Sequence, residues 1–272
     1  MLDSSFNPPT RAHLRMATSA IQEFRQKLSH EQNQGHGSLR LLLLLSINNA
    51  DKGAKPAAFD KRLAMMWAFA RDVLRSLEAD FGGEQASSEE ETLIVDLGLS
   101  TVPYFHEKSA ALAEDGFYNG EGDVDEQSQT EQVFLVGYDT LIRIFDPKYY
   151  DPPGSKGQDP TSRPSAMQKA LDPFFTRAKL RVTMRTGDEW GGADEQTAYL
   201  EGLLQAGGLS SISGSTDWGS RIQMVEGRKL GADVISSTHA RAAAKDRDSA
   251  KLDLMVTSEV RWWIEQENLY SE

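Results

Sequence analysis

Apolar positions along the chain form two kinds of pattern. One recurs every three or four residues, as is typical of helices, and the other is a continuous run, as is typical of buried strands. From Leu14 to Leu28 apolar side chains recur every three or four residues, which predicts one apolar stripe on a helix of about four turns. Leu39 to Ile47 follows as a mostly apolar run that contains five consecutive leucines. A run without polar alternation indicates a strand that is covered on both faces, as in a parallel sheet.

The same order of helix and strand continues to the end of the chain. Further strands are predicted at Thr92–Leu97, Gln132–Val136, Ala178–Met184 and Arg221–Val225. Further helices are predicted at Phe59–Ala79, Glu107–Ala113, Thr140–Phe145, Thr238–Ala244 and Ser258–Glu267. Strands that alternate with helices predict an α/β fold with a parallel sheet.

Three segments interrupt this alternation with a different composition. Residues 114–131 carry seven acidic residues and no Lys or Arg, residues 151–164 are rich in proline, and residues 207–219 are rich in glycine and serine. The alternation resumes after each segment. We therefore expect one domain spanning residues 1–272, with these three segments as long inserted loops.

Charge and composition narrow the classes of function. The chain has 29 Lys and Arg against 41 Asp and Glu, a net charge of −12, which disfavours binding to a nucleic-acid backbone. A few local cations can still form a pocket for a small anion. The absence of cysteine excludes disulfides, thiolate metal sites and a cysteine nucleophile. No run approaches the roughly 20 apolar residues of a membrane helix and the start is unlike a signal peptide, so we expect no membrane contact and a cytoplasmic or nuclear location.

Two predicted helix starts carry residues that suit phosphate. The first is the polar turn from Ser4 to Thr10, ahead of a helix whose first turn contains His13. The second is Ser236-Ser237-Thr238, a helix-capping sequence with Arg241 one turn further on. A helix N-terminus offers free N–H groups and partial positive charge, to which histidine or arginine adds donors. Each could be an ordinary helix start, but the two together could hold a triphosphate between them.

These motifs, in this order, resemble those of the nicotinamide/nicotinate mononucleotide adenylyltransferases. That family belongs to the nucleotidyltransferases with (H/T)-x-G-H and I-S-S-T-x-x-R signatures, and the inserts make this chain most similar to its fungal-type branch. Beyond the two helix starts, the resemblance rests on Val136–Leu141 with Phe145 and Pro147–Tyr150, on Val182–Arg185, and on the tail Val256–Tyr270. It covers nearly the whole chain and implies a Rossmann-like, doubly wound parallel sheet.

The resemblance also implies roles for individual residues. Three match catalytic positions of the family: Thr10, His13 and Arg241. Nine match positions that bind ATP or the dinucleotide: Ser5, Phe6, Lys52, Lys55, Gly137, Asp139, Arg185, Ser237 and Thr238. The spacing leaves open whether Lys52 or Lys55 meets phosphate, and no protein ligand for a metal is implied.

The activity implied is transfer of AMP from ATP to nicotinamide or nicotinate mononucleotide, giving NAD or deamido-NAD and pyrophosphate. Magnesium would enter as Mg-ATP, and no general base is needed because the attacking phosphate is already an anion. Two alternatives remain open: a nucleotidyltransferase with another acceptor, such as a phosphopantetheine-like one, and an ATP-binding or ATP-hydrolysing protein with decayed transferase activity that acts in protein interactions. The sequence indicates no particular oligomeric state.

Several positions differ from the family pattern. The family has a full apolar strand ahead of the first motif, where this chain has Met1-Leu2, so we expect a truncated first strand whose missing residues are encoded upstream. Ser4 and Ala12 stand where the family has glycine. The family's tryptophan that stacks on nicotinamide has no counterpart here, and Tyr104 or Phe105 could replace it.

Overall fold

A computed structural model describes residues 1–31, 39–47, 57–81, 93–118, 130–150, 164–185, 190–227 and 234–271. The chain forms two compact units, the first comprising Met1–Thr101 and Asp233–Glu272 and the second Val102–Ala232. The prediction of one domain with inserted loops stays a prediction. No helix within the described ranges has the length and hydropathy to cross a bilayer.

The described residues form six strands and ten α-helices. The strands are β1 Leu2–Ser4, β2 Arg40–Ser46, β3 Ile94–Ser100, β4 Gln132–Gly137, β5 Ala178–Thr183 and β6 Ile222–Val225. The helices are α1 Arg11–Glu31, α2 Phe59–Phe81, α3 Phe105–Asp115, α4 Tyr138–Ile144, α5 Ala166–Arg177, α6 Ala193–Leu204, α7 Gly208–Ser211, α8 Ser237–Lys245, α9 Ser249–Met255 and α10 Ser258–Gln266. Short 3-10 helices lie at Pro147–Tyr149 and Thr216–Arg221.

In the first unit, three parallel strands lie in the order β3-β2-β1. The central strand β2 is the leucine-rich run, and its Leu43 pairs with both Leu2 and Leu97. Successive side chains of a strand point to opposite faces, and both Leu43 and Leu44 are buried. The run is therefore covered on both faces, as its lack of polar alternation predicts.

The first strand is short and ends at the first motif. It has three residues, whereas β2 has seven. Only Met1-Leu2 was expected ahead of the first motif, but the strand also includes Asp3 and Ser4. Leu2 is buried, and the Ser46 hydroxyl donates to Asp3 Oδ1 at 2.7 Å. These contacts fix the point at which the loop after β1 begins.

In the second unit, three parallel strands lie in the order β4-β5-β6. Its core is aromatic: the Phe134 and Phe174 rings lie 5.1 Å apart, and Phe175 stacks on Trp218. Trp218 is buried and donates from Nε1 to Asp172 at 2.9 Å. The segment 207–219 was expected to be a loop, but it contains the four-residue helix α7 and the start of the 3-10 helix Thr216–Arg221. The buried Leu209 and Trp218 hold this segment against the core.

The prediction of an α/β, Rossmann-like doubly wound fold is confirmed. Strands in the orders 3-2-1 and 4-5-6, linked by helices, are those of the two mononucleotide-binding halves of this fold. Each predicted strand is present, and the largest shift moves the end of β3 from Leu97 to Ser100. Most of the other two segments expected to be loops lies outside the described residues, namely 119–129 of the segment 114–131 and 151–163 of the segment 151–164.

Four helices were not predicted from the hydrophobic pattern: α5, α6, α7 and α9. Helix α5 contains Pro173 in its interior, which obscured a start that Ser165 and Gln168 mark with a reciprocal capping box. Helix α9 has only seven residues, too few for a periodic pattern to emerge.

Candidate active site

The loop after β1 is anchored by an aromatic side chain in the core. Phe6 is fully buried, and its ring lies 6.1 Å from that of Phe69 and 6.0 Å from that of His13. The backbone of Phe6 has a φ of 44°, in the left-handed region that non-glycine residues rarely adopt. The buried ring therefore holds the turn, and a ligand at this loop can meet only the backbone of Phe6.

His13 lies in the first turn of α1, and Thr10 fixes its tautomer. The Thr10 backbone N–H donates to Nδ1 of His13 at 3.0 Å, and the Thr10 hydroxyl lies 2.8 Å from the same nitrogen. A backbone N–H can only donate, so Nδ1 is the acceptor and the neutral ring carries its hydrogen on Nε2. Nε2 lies 3.2 Å from the hydroxyl oxygen of Ser4 and donates this hydrogen to it.

The second motif forms the start of α8 and contacts the first motif directly. Ser236 is the N-cap, and its hydroxyl accepts from the N–H of His239 at 3.2 Å. Ser237 is the first helical residue, and its hydroxyl donates to the carbonyl of Pro8 at 2.8 Å. The capping sequence thus begins a helix as predicted, and its second serine holds the loop after β1.

Arg241 joins the two motifs. Its Nη1 donates to the carbonyl of Asn7 at 2.8 Å, and its Nη2 donates to the hydroxyl of Thr238 at 3.1 Å. The guanidinium is consequently held between the N-terminal regions of α1 and α8. Within the first unit the structure brings together seven of the candidate residues: Ser5, Phe6, Thr10, His13, Ser237, Thr238 and Arg241.

Sequence reasoning missed a buried arginine behind this loop. Arg62 of α2 is 4% exposed, and its Nη1 donates to the carbonyls of Ser46 at 3.2 Å and Ser5 at 3.4 Å. Burial lowers the pKa of its guanidinium. A signal was present: Arg62 lies seven residues before the buried Phe69, on the apolar stripe of α2, where a charged residue is out of place.

The candidates of the second unit lie at the carboxyl ends of β4 and β5. Asp139 Oδ1 accepts from Arg185 Nη1 in an ion pair of 3.1 Å. Gly137 ends β4, and a Cβ at this position would lie 2.6 Å from Asp139 Oδ1. The absence of a side chain at Gly137 therefore makes room for the carboxylate that pairs with Arg185.

A second residue missed by sequence reasoning holds the backbone of Arg185. Gln196 of α6 is fully buried, and its Oε1 accepts from the Arg185 N–H at 3.0 Å. Its Nε2 donates to the Arg185 carbonyl at 2.7 Å. Gln196 satisfies both backbone groups where the ladder of β5 has ended, and because α6 was not predicted, nothing in the sequence pointed to this contact.

The remaining candidates are two lysines and two aromatic residues. Lys52 and Lys55 lie outside the described residues. Phe105 packs edge-on against the buried Phe134 at 5.7 Å, whereas Tyr104 stacks on His106 at 5.6 Å and an interplanar angle of 15°. Across the described ranges, no group of three or more His, Asp or Glu side chains is placed to bind a metal ion.

The order of the parallel strands and the helices that link them define a Rossmann-like α/β protein. No family model matches the chain. Over 263 residues, 96% of this chain and 81% of the relative, it is 32% identical to a Schizosaccharomyces pombe protein named "Putative nicotinamide mononucleotide adenylyltransferase". The chain belongs to the nicotinamide mononucleotide adenylyltransferase family, as its motifs predicted.

Proposed function

We propose that this protein is a nicotinamide-nucleotide adenylyltransferase. It transfers AMP from Mg-ATP to the 5′-phosphate of nicotinamide or nicotinate mononucleotide and releases pyrophosphate. The proposal is supported by the family to which the chain belongs and by the name of its relative.

The observation that carries the proposal is the direct contact between the two motifs. The side chains of Arg241 and Ser237 bind the carbonyls of Asn7 and Pro8, each at 2.8 Å. This brings the N-terminal regions of α1 and α8 to one place, with a guanidinium and an imidazole beside them. Such a grouping of N–H donors with a guanidinium suits a chain of phosphates.

We propose one role for each of the site residues, supported by the contacts described above. Thr10 keeps Nδ1 of His13 an acceptor, so that Nε2–H can donate to a phosphate oxygen. Arg241 and Thr238 bind oxygens of the β- and γ-phosphates, and Ser237 holds the loop. Asp139 and Arg185, with Gly137 leaving room between them, contact the nucleoside part. One of Lys52 and Lys55 adds a further phosphate contact.

The chemistry is an in-line displacement at the α-phosphorus. An oxygen of the mononucleotide 5′-phosphate forms the new P–O bond, and the bond from the α-phosphorus to the α,β-bridging oxygen breaks. The bridging oxygen leaves with the electron pair as part of pyrophosphate. Arg241 and His13 offset the charge that develops on this leaving group, and Mg²⁺ arrives bound to ATP, since magnesium keeps phosphate and water ligands.

A pyridine ring in the acceptor needs an aromatic partner, and Tyr104 is the better placed of the two candidates. The ring of Phe105 is committed to the core through Phe134, while Tyr104 forms part of a group of rings with His106 and Tyr150. Tyr104 is proposed to lie against the nicotinamide or nicotinate ring.

A second candidate function is an ATP-binding protein of the same fold whose transferase activity has decayed. The observation that favours it is the hydroxyl of Ser4, which occupies the Nε2–H of His13 at 3.2 Å, at a position where the family has glycine. In this case ATP would bind, but no dinucleotide would form.

One assay separates the two candidates. Purified protein is incubated with Mg-ATP and either mononucleotide, and NAD, deamido-NAD, ADP and pyrophosphate are measured by chromatography. The proposed transferase yields a dinucleotide and pyrophosphate in equal amounts, and a His13→Ala protein yields far less of both. ATP binding or hydrolysis without any dinucleotide would replace the proposal by the second candidate.

A further inference from the structure

The chain segment that follows α10 returns to the loop after β1. The Tyr270 hydroxyl donates to Asn7 Oδ1 at 2.8 Å. Asn268 and Tyr270 have φ values of 48° and 65°, a left-handed conformation that non-glycine residues keep only where contacts hold them. Glu267 adds one such contact through its ion pair with Lys61 of α2. The segment therefore has a fixed course that ends with the phenol of Tyr270 at Asn7.

Asn7 connects this segment to the candidate active site. Its side chain is 8% exposed, and its Oδ1 accepts from the N–H of Ala57 at 3.0 Å as well as from Tyr270. Its backbone carbonyl accepts from Nη1 of Arg241 at 2.8 Å. The residue that fixes the side chain of Asn7 consequently also fixes the carbonyl that orients the Arg241 guanidinium.

Tyr270, the hydrogen-bond donor to Asn7, is neutral, and this determines its effect on the two nearby arginines. Arg241 and Arg62 both lower the pKa of the Tyr270 phenol, but burial raises it by more, so the phenol keeps its proton and remains a donor. A carboxylate in its place would form an ion pair with these guanidinium groups. In the described ranges the two arginines bind carbonyl and hydroxyl oxygens, and the neutral phenol does not offset the positive charge of the Arg241 guanidinium.

We infer that Tyr270 is a positioning residue of the phosphate site, which holds Asn7 and through its carbonyl sets the direction of Arg241. The inference rests on the proposed function and goes beyond it, since it assigns part of the site to the segment that follows the last helix. Tyr270 itself does not touch the phosphates.

The test is a double-mutant cycle on Tyr270 and Arg241. The affinity for Mg-ATP is measured by calorimetry for the full-length parent, Tyr270→Phe, Arg241→Ala and the double variant. Removing the hydroxyl removes one hydrogen bond, so Tyr270→Phe should raise the Kd for Mg-ATP about three- to tenfold. In the Arg241→Ala background the same change should leave the Kd within about twofold, because the group through which it acts is gone.

Two controls separate positioning from a general loss of structure. Tyr199→Phe removes the hydroxyl of a partly exposed tyrosine in α6 and should leave the Kd unchanged. The melting temperature of the ligand-free Tyr270→Phe protein should stay close to that of the parent, since the phenyl ring remains in place.

Three outcomes would overturn the inference. A parental Kd for Tyr270→Phe contradicts it while leaving the proposed function intact. Effects of Tyr270→Phe and Arg241→Ala that multiply also contradict it, because the two residues would then act independently. A parent protein that binds no Mg-ATP would overturn this inference and the proposed function together.

Discussion

The amide N–H of Thr10 determines how His13 can act. Because Nδ1 of His13 must accept this bond, Nε2 is the nitrogen that can donate to a ligand, and the nearest hydroxyl, that of Ser4, takes this bond. Arg241 is oriented in a comparable way by the carbonyl of Asn7 and the hydroxyl of Thr238. At the scale of single residues, the donors of the site thus have their directions set by neighbouring groups.

Replacement of Arg241 by alanine should affect turnover far more than folding. The guanidinium is proposed to meet charge that develops on pyrophosphate, and loss of one such donor typically lowers the rate by about 10²- to 10³-fold. The measurement is kcat for dinucleotide formation beside the melting temperature. Lys245→Ala, an exposed residue at the other end of α8, is the matched control. A near-parental kcat for Arg241→Ala would remove Arg241 from the site.

Replacement of Ser4 by alanine should tighten the binding of Mg-ATP. A phosphate oxygen has to displace the Ser4 hydroxyl from Nε2 of His13, and a hydrogen bond of this kind corresponds to about a three- to tenfold change in affinity. The measurement is the Kd for Mg-ATP. Ser29→Ala on the exposed end of α1 should leave it unchanged. Weaker binding by Ser4→Ala would show that the hydroxyl contributes to the site instead of competing for it.

The junction between β4 and α4 illustrates how elements carry the site. Gly137 ends the strand and caps the helix, and the carboxylate of Asp139 in the first turn then lies beside Arg185, which follows β5. Because β4 and β5 are parallel and Gly137 pairs with Thr183, residues that follow the two strands meet at one edge of the sheet. The register of the two strands, more than the loops themselves, brings the ion pair together.

Replacement of Gly137 by alanine should weaken nucleotide binding with little loss of stability. The new Cβ would lie 2.6 Å from Asp139 Oδ1, so the carboxylate must move away from Arg185, and we expect a Kd for Mg-ATP about three- to tenfold higher. The backbone φ of −84° suits alanine, so the free energy of unfolding, measured in urea, should change by less than about 1 kcal/mol.

The matched control for Gly137→Ala is Gly202→Ala in α6. A Cβ at Gly202 would meet nothing within 4 Å. Alanine there should stabilise the helix by roughly 0.5–1 kcal/mol and leave the Kd unchanged. An unchanged Kd for Gly137→Ala as well would mean that the Asp139–Arg185 pair does not contribute to binding.

At the scale of the whole molecule, a net charge of −12 coexists with two arginines at the candidate site, Arg62 and Arg241. Arg62 and Arg241 bind neutral oxygens, and their charge is therefore local and directed to the loop after β1. An acidic protein can in this way attract an anionic substrate to one place while the rest of its surface repels polyanions.

Saturating Mg-ATP should raise the melting temperature of the parent protein. A ligand that binds only the folded state at about 100 times its Kd adds roughly 2.7 kcal/mol of stability. For a protein of this size that corresponds to a shift on the order of 5 °C or more. The measurement is a thermal unfolding scan with Mg-ATP, with Mg²⁺ alone, and with Arg241→Ala protein. The absence of any shift for the parent would contradict ATP binding.

The sequence by itself determined the fold class and the two motifs. The leucine-rich strand β2 has no polar face and the stripe on α1 has the helical period, because each element has to bury its apolar side chains in a particular geometry. The motif residues Thr10, His13 and Arg241 could be named because their types and spacing match a family, and the family is confirmed. Their roles stay predictions.

Only the tertiary structure decided which groups hold the candidate residues in place. Asn7, Arg62 and Tyr270 act through contacts with residues distant in the chain, and hydrophobic periodicity carries no information about such contacts. Gln196 contacts Arg185 from a helix that the pattern did not predict. Helix α5 was not predicted because Pro173 lies in its interior, although its capping box was present in the sequence. The period of a segment shows which face is buried, whereas the partner of a buried polar group depends on which distant segment packs against it, and that is settled only when the chain folds.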